Sequence, residues 1–288
     1  MDPHSDPHSD PTAPIPLTVL IRTLNEADRI AAAIRSALPL HCEILVIDAG
    51  STDATVSIAE ALGARVVVNP WTGFGPQRRF GEALCRHDHV FSVDADEILT
   101  PEIVREIRAI FQAPKVPSLM IVRKAMVLPH HARPAPWAFC TENVYLYDRR
   151  VARTTDNPNW DKLAITTDAK PVTLRAVVWH HTFRDWNHAI AKSNYVGQLA
   201  ADTQPIGSRF ETGLRLVFEY PLNFLKFYVL RRFFLAGLDG FVMASVLAYG
   251  RFIRIAKMHE ATRGQPSTGL PFLRRAKRPP ADTRAGSG

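Results

Sequence analysis

Four short runs of branched apolar residues alternate with helix-like segments over residues 17–112, and this alternation most limits the possible folds. The runs are continuous and β-branched, as strands buried on both faces are, and they lie at 17–21, 43–47, 65–68 and 90–93. The segments between them carry apolar residues at helical spacing, as at Ile30, Ala33 and Ile34. Strands joined by such helices run parallel through right-handed crossovers. The sequence therefore predicts a doubly wound α/β half, whose ligands bind at the carboxyl ends of the strands.

Capping residues predict where the first two helices begin. Asn25 is expected to cap a helix over residues 26–38, which Pro39 ends. Residues 51–53 offer side chains that could cap a second helix, with Gly63 at its C-terminal end.

The strand–helix alternation ends near residue 112. Two antiparallel strands are predicted at 118–123 and 143–147, and a further strand at 171–179. Helical periodicity follows at 185–201, 210–235 and 241–259. Both ends of the chain have compositions typical of disorder, and the first also lacks the apolar segment of a signal peptide. The predicted organisation is a disordered tail at 1–16, an α/β domain at 17–205, a helical region at 206–262 and a basic disordered tail at 263–288.

The positive charge of the chain is confined to its last third. The 288 residues carry a formal net charge of +7, which favours a polyanionic partner such as a nucleic acid, a nucleotide or an anionic membrane. Residues 206–288 hold fourteen Lys/Arg and five Asp/Glu, whereas residues 1–205 hold 21 and 23. The basic excess therefore says little about the α/β half.

Several classes of site are excluded by their missing motifs. The sequence has no P-loop, no Gly-x-Gly-x-x-Gly after the first strand, no Gly-x-Ser-x-Gly and no His-Glu-x-x-His. A P-loop ATPase, a classical dehydrogenase, a serine hydrolase and a zincin are thus excluded. Cys42, Cys85 and Cys140 lack the spacing of a zinc knuckle or a redox pair, and we predict free thiols.

Polar and acidic residues follow three of the predicted parallel strands. They are Thr23, Asn25 and Glu26 after the first strand, Asp48, Ser51 and Asp53 after the second, and Asp94, Asp96 and Glu97 after the fourth. Carboxylates gathered at one sheet edge repel one another unless a cation or ligand donors lie among them. An Asp-x-Asp pair offers the oxygen ligands that Mg²⁺ or Mn²⁺ prefers, with diphosphate oxygens completing the shell. The set predicts a nucleotide–metal site, with turn-forming Asp and Asn residues as the alternative.

These motifs carry a resemblance to a known family. Thr23-Leu-Asn-Glu26, Val46-Ile-Asp48-Ala-Gly-Ser51-Thr-Asp53 and Val93-Asp94-Ala-Asp96-Glu97 resemble the inverting family 2 glycosyltransferases of the GT-A fold. Pro70-Trp71-Thr-Gly73-Phe-Gly75-Pro-Gln77 is similar to the bacterial branch that adds glucose or a related sugar to the lipopolysaccharide core. The resemblance extends over about residues 17–260. It implies a Rossmann-like mixed sheet with helices on both faces, and inverting sugar transfer from a UDP-sugar donor to a lipid-linked saccharide acceptor.

The resemblance also assigns roles at the donor site. Asp48 would contact the uracil, Asp94 the ribose, and Asp96 the Mg²⁺ or Mn²⁺ ion that bridges the diphosphate. His180 would be a further metal ligand or would bind the diphosphate, and Arg78 or Arg79 would add positive charge there. The donor edge would be completed by residues of the first two motifs: Thr23, Asn25, Glu26, Ser51 and Asp53.

The general base is predicted from the same resemblance. Inversion requires a carboxylate that removes the acceptor hydroxyl proton on the face opposite UDP. The branch carries Val-His-Glu after the antiparallel strands, and Asn159-Trp160-Asp161 matches it here. Asp161 is therefore the candidate base, one methylene shorter than the usual Glu, and Asp156 is the alternative.

Basic and aromatic residues are interleaved in the C-terminal third. Residues 233–249 contain a single charged side chain, Asp239, but Gly237 and Gly240 predict a break, so we expect two helices rather than one membrane span. Interleaved cations and aromatics suit an anionic membrane surface. We expect a peripheral protein on the cytoplasmic face of a bacterial inner membrane. Nucleic acid is not expected as a partner, because the apolar runs are too continuous for a base-stacking groove.

Three alternatives remain open from the sequence. Polyprenyl phosphate could replace the lipopolysaccharide core as the acceptor. The C-terminal helices could pack as an ordinary core. The chain could also be a non-catalytic module that binds a nucleotide or a nucleic acid.

Overall fold

The computed structural model describes residues 12–135, 138–203 and 207–262. The predicted disordered tail at 263–288, and all but residues 12–16 of the tail at 1–16, lie outside the described residues.

Four parallel strands form one half of an eight-stranded sheet. They are β1 (Leu17–Thr23), β2 (Glu43–Asp48), β3 (Arg65–Val68) and β4 (His89–Asp94), in the spatial order β3-β2-β1-β4. Thr23 pairs with Asp48, and Arg22 pairs with Asp94, so three strands end at nearly the same level. The predicted parallel arrangement is confirmed, and it brings the polar residues after β1, β2 and β4 to one edge.

The second half of the sheet is mixed. Its strands are β5 (Glu97–Leu99), β6 (Leu119–Met126), β7 (Cys140–Asp148) and β10 (Val172–His180), and the sheet continues from β4 in the order β7-β6-β10-β5. The antiparallel pairing of β6 with β7 was predicted, and β10 adds to β6 in parallel. A separate pair joins β8 (Ala152–Thr154) to β9 (Leu163–Ile165). Strands β5, β8 and β9 were not predicted, because three residues are too few to show a period of two.

Helices cover both faces of the sheet. One face packs against α1 (Ile30–Ala37), α2 (Thr55–Ala61) and α4 (Pro101–Gln112), and the other against α3 (Phe74–Leu84). Alternate side chains of β1 enter the two cores, since Val19 and Ile21 belong to the first and Leu20 to the second. This is the mixed sheet with helices on both faces that the GT-A resemblance implied.

The predicted start of the first helix is wrong. Helix α1 begins at Ile30, and Arg29 at its N-cap makes no side-chain capping bond. Asn25 instead adopts a left-handed backbone with φ of 55°. Its Oδ1 accepts a hydrogen bond of 2.9 Å from the Thr52 backbone N–H in the loop after β2. Asparagine suits both an N-cap and a left-handed turn, so its presence could not distinguish them.

Three long helices form the C-terminal region. They are α5 (Trp186–Thr203), α6 (Arg209–Leu225) and α7 (Gly237–Ala261). A π turn at Lys226–Leu230 and a 3-10 turn at Phe233–Ala236 connect α6 to α7.

The predicted break is confirmed at Gly237, where φ is 61° between the 3-10 turn and α7, but it is wrong at Gly240. Helix α7 runs through Gly240, where a side chain would collide with the carbonyl of Phe233. The chain also turns at Arg232, whose φ is 58°. The resulting 29-residue stretch Phe233–Ala261 has a mean hydropathy of 1.6 and is long and apolar enough to cross a bilayer, by length and composition alone.

Candidate active site

A cavity of about 360 Å³ lies at the carboxyl ends of β1 and β4. Five of the predicted site residues line it: Thr23, Glu26, Asp94, Asp96 and His180. The other side chains of functional interest in its wall were not assigned a role from the sequence: Arg22, Trp71, Phe74, Gln77, Lys192 and Tyr195. The cavity lies where ligands bind to parallel sheets.

The turn between β4 and β5 brings Asp96 next to His180. Strand β5 pairs antiparallel with β10, and His180 lies opposite Glu97 in that ladder. The Nε2 atom of His180 is 3.5 Å from Oδ2 of Asp96. Burial alone would raise the pKa of Asp96, but the imidazole beside it lowers that pKa overall. Burial likewise lowers the pKa of His180, and the Asp96 carboxylate raises it above the ordinary value.

Glu97 does not line the cavity. Its Oε2 accepts a hydrogen bond of 2.6 Å from Nζ of Lys124, and both side chains are almost fully buried. The same oxygen accepts a bond from the backbone N–H of Asp94. Glu97 therefore holds the turn in place, and it is not one of the carboxylates that face a ligand.

The arrangement of Asp96 and His180 fits a divalent cation. Ligand atoms of Asp96, Glu97 and His180 lie within 4.8 Å of one another. Because the Glu97 carboxylate is bound by Lys124, the Asp96 carboxylate and the His180 imidazole are the two groups of this set left to bind a cation. Mg²⁺ and Mn²⁺ are commonly held by one or two protein ligands together with substrate phosphates, so Asp96 and His180 could hold such an ion with a diphosphate.

Two arginines bridge Asp94 and Asp161. Nη2 of Arg22 is 2.8 Å from Asp94 and 2.9 Å from Asp161. Nη2 of Arg78 is 2.9 Å from Asp161 and 3.6 Å from Asp94. Burial would raise the pKa of Asp94, but the two guanidinium groups lower it strongly. Arg22 was missed in the sequence, although a lone charge in the apolar run of β1 was a signal for it.

The segment that carries Asp161 lies against the start of α3. Phe74 and Gly75 donate backbone hydrogen bonds of 2.9 and 3.0 Å to the carbonyls of Pro158 and Asn157. Side chains at Gly73 or Gly75 would collide with that segment, and Gly73 has a φ of 138°. The glycine pair thus permits the close approach that delivers Asp161 to the two arginines. The alternative base, Asp156, is exposed.

The remaining predicted residues of the first two loops tie those loops together. Asp48 is 1% exposed, and one of its oxygens accepts hydrogen bonds from the backbone N–H groups of Gly50 and Ser51. Ser51 Oγ accepts from the backbone of Asn25 at 2.8 Å, and Asp53 accepts from the backbone of Ala27 at 3.2 Å. Such contacts are those of turn-forming Asp, Asn and Ser residues, the alternative to a nucleotide–metal site at these positions. The contact of Asp48 with a uracil stays a prediction.

Arg29, Arg184 and Glu26 form a cluster that adjoins the candidate metal site, since Nη1 of Arg29 is 3.8 Å from Oδ2 of Asp96. Arg29 contacts both oxygens of Glu26 at 2.6 Å, and Arg184 contacts Glu26 at 2.9 Å.

Arg79, the alternative to Arg78, donates to the Thr154 carbonyl at 3.0 Å and does not line the cavity. Arg78 does not line it either, and it reaches the site through Asp94 and Asp161.

Comparison with known proteins identifies the family. The glycosyl transferase family 2 pattern matches residues 18–161. An uncharacterized glycosyltransferase of Rickettsia bellii is 35% identical over 257 residues, covering 85% of this chain and 86% of that protein. The chain belongs to glycosyl transferase family 2. This family 2 enzyme is therefore a glycosyltransferase, and the alternative of a non-catalytic binding module is wrong.

Two further similarities are weaker. The glycosyltransferase is 24% identical over 254 residues to the lipopolysaccharide core biosynthesis glycosyltransferase LpsC of Rhizobium meliloti, covering 85% of this chain and 93% of LpsC. Among solved structures, glucosyl-3-phosphoglycerate synthase of Mycobacterium tuberculosis, in complex with Mn²⁺, UDP and glucosyl-3-phosphoglycerate, is 27% identical with a TM-score of 0.33. That match covers 39% of this chain and 44% of the synthase.

Proposed function

We propose that this glycosyltransferase moves glucose or a related sugar from a UDP-sugar to a lipid-linked acceptor, the lipopolysaccharide core, with inversion. The observation that carries the proposal is the approach of Asp96 to His180 in the wall of the cavity, 3.5 Å apart. The similarity to LpsC along most of both chains supports the acceptor.

The donor diphosphate would bind beside Asp96 and His180. A divalent cation held by these two side chains would neutralise negative charge on the departing UDP, an effect worth several kcal/mol. Lys192 also lines the cavity and would add a positive charge there. Asp94 lines the same cavity and would make the ribose contact that the family resemblance implies. Trp71 and Phe74, whose rings meet edge to face at 4.9 Å, offer an apolar wall for the nucleoside.

Asp161 would act as the general base on the acceptor hydroxyl. Its Oδ2 is bound by both Arg22 and Arg78, and these contacts occupy the oxygen that would receive the proton. The two arginines would therefore have to turn toward the bound donor phosphates before Asp161 could take the proton. Donor binding would in this way precede activation of the acceptor.

The acceptor would be presented at the cytoplasmic face of a bacterial inner membrane. The α6–α7 region supports this location, because it exposes large apolar side chains such as Phe210 and Leu238. Polyprenyl phosphate is the competing acceptor within the same class of reaction, and the experiment below distinguishes the two.

The decisive experiment measures transfer from a panel of UDP-hexoses to lipopolysaccharide core or to polyprenyl phosphate, with Mn²⁺ or Mg²⁺ present. Asp96→Asn should lower kcat/KM about a thousandfold and should weaken Mn²⁺-dependent UDP binding measured by calorimetry. Asp88→Asn is the matched control, because Asp88 pairs with Arg149 just before β4, at the opposite end of the strand. Equal turnover by wild type and Asp96→Asn would contradict the proposal. A product formed only on polyprenyl phosphate would assign that lipid, and not the lipopolysaccharide core, as the acceptor.

The base is tested separately. Asp161→Asn should lower kcat by about a hundredfold or more while UDP still binds, and Asp156→Asn should leave kcat unchanged. If Asp161→Asn keeps the kcat of wild type, Asp161 is not the general base.

A further inference from the structure

Helix α6 exposes its apolar side. Six large apolar residues on it have between half and four-fifths of their surface exposed: Phe210, Leu214, Val217, Phe218, Leu222 and Leu225. Their spacing of three and four residues places them along one side of the helix. We call this surface the α6 face.

The polar side of α6 is the buried one. Thr212 is 2% exposed, and its hydroxyl lies 2.8 Å from Nδ1 of His259 on α7. Glu219 is 9% exposed and lies 3.1 Å from Nη2 of Arg251, also on α7. A helix on the surface of a water-soluble protein has the reverse arrangement, with its apolar side inward. These polar contacts hold the orientation, so α6 cannot bury its apolar side without breaking them.

The apolar surface continues beyond α6. Leu230 in the π turn is 76% exposed and Leu238 at the start of α7 is 84% exposed. Large exposed apolar patches on soluble proteins mark contacts with proteins or membranes.

Exposed cations border the α6 face. They are Arg209, Lys226, Arg231 and Arg232, and none of them forms an ion pair with a carboxylate in the described part of the chain. Glu211, the exposed acid of α6, is engaged in a capping box with Ser208. The guanidinium of Arg231 lies 4.6 Å from the centre of the Phe139 ring, and its charge has no carboxylate partner among the described residues. Apolar side chains bordered by such cations complement an anionic bilayer surface. Two copies docked through the same face would bring their cations together, which opposes a second copy as the occupant.

We propose that the α6 face inserts into the headgroup and acyl boundary of an anionic bilayer, with α6 in the membrane plane and α7 beneath it. In this arrangement α7 does not span the membrane, although its composition would permit it. Arg251 of α7 is bound to Glu219, and Lys257 donates to the Asn194 carbonyl on α5 at 2.8 Å. Spanning would move these charged groups toward hydrocarbon, at high cost. The proposal deepens the function proposed above by naming the surface that meets the lipid.

The test uses the full chain and contains no sugar transfer, so it can fail independently of the proposed function. Wild type is mixed with vesicles of phosphatidylglycerol and phosphatidylcholine, and bound protein is measured by co-sedimentation at low and high salt. Leu214→Ser/Phe218→Ser/Leu222→Ser should lower the partition coefficient at least about a hundredfold, at both salt concentrations. Because these side chains are exposed, the triple variant should keep the circular dichroism and unfolding midpoint of wild type.

A matched control changes exposed apolar residues elsewhere. Ile165→Ser/Val172→Ser alters side chains that are 45% and 44% exposed on the strands, and it should bind vesicles like wild type. Three results would overturn the proposal. In the first, wild type binds no vesicles. In the second, the triple variant binds vesicles like wild type. In the third, wild type forms dimers in vesicle-free buffer, and the triple variant loses the dimers but still binds vesicles. Resistance of both proteins to alkaline carbonate extraction would assign a spanning α7 instead.

Discussion

The α/β half buries its large apolar side chains, whereas α6 in the α6–α7 pair exposes many of its own. In the half that carries the cavity, Leu20 and its neighbours on β1 are fully buried between sheet and helices. On α6 six large apolar side chains face outward, and Thr212 and Glu219 face the protein together with Leu216 and Phe224. The difference teaches that apolar periodicity specifies a helix but not the side that meets the protein, which depends on the medium around it.

The largest expected contrast comes from one substitution made in both regions. Leu20→Ala should lower the free energy of unfolding by about 3 kcal/mol or more, because Leu20 is fully buried. Leu214→Ala should change it by less than about 0.5 kcal/mol in detergent-free buffer, because Leu214 is 53% exposed. Urea denaturation of both variants checks this. Similar losses at the two positions would mean that the α6 face is buried in solution, and the comparison would fail.

A buried ion pair in the α/β half should be nearly as sensitive. Lys124→Met leaves Glu97 buried without its partner, and we expect a loss of about 3 kcal/mol in unfolding free energy. The double variant Lys124→Met/Glu97→Leu should recover part of this loss, since no unpaired charge then remains. Thermal and urea unfolding of the two variants measure the difference. A double variant less stable than the single one would show that Glu97 supports the Asp94 turn independently of Lys124.

The ion pair between α6 and α7 should be weaker. Glu219→Gln removes a charge that Arg251 and Arg215 share at the edge of solvent, and we expect a loss of about 1 kcal/mol. The same change should make α6 more accessible to limited proteolysis, because it loosens the contact that fixes the α6 face. Glu211→Gln on the exposed side is the control for charge alone, since glutamine still completes the capping box. Equal proteolysis of both variants would remove Glu219 from this role.

Sequence patterns predicted the α/β half well because its strands are buried on both faces and long enough to be distinctive. Asp94 and Asp96 could be placed at one edge, since strand ends of a parallel sheet converge, whereas His180 was placed there by the family resemblance. Glu97 could not be separated from them, because its partner Lys124 lies on a strand 27 residues away. The role of Arg22 depends on the loop that carries Asp161, and no local pattern connects positions so distant in the chain.

Helix termini and helix orientation were the less predictable features. Asn25 has the chemistry of a cap and of a left-handed turn, and the neighbouring loop decides between them through Thr52. Gly240 suggested a helix break, but its lack of a side chain instead leaves room for the carbonyl of Phe233. In both cases a residue type suits two conformations, and a distant backbone selects one.

The smallest expected effect is a pH dependence in the α/β half. Burial would raise the pKa of Glu43, but hydrogen bonds from Thr18 and the Arg86 backbone, with the Arg65 guanidinium, lower it below its ordinary value of 4.5. A carboxyl with a lowered folded-state pKa stabilises the fold above its unfolded-state pKa, and that contribution is lost as pH falls through the folded value. Glu43→Gln should therefore be less stable than wild type near neutral pH, and the gap in urea midpoint should close between about pH 5 and about pH 3. Glu60→Gln, on the exposed side of α2, is the control for the loss of one charge. A constant gap for Glu43→Gln would mean that the hydrogen bonds, and not the charge of Glu43, stabilise this corner of the sheet.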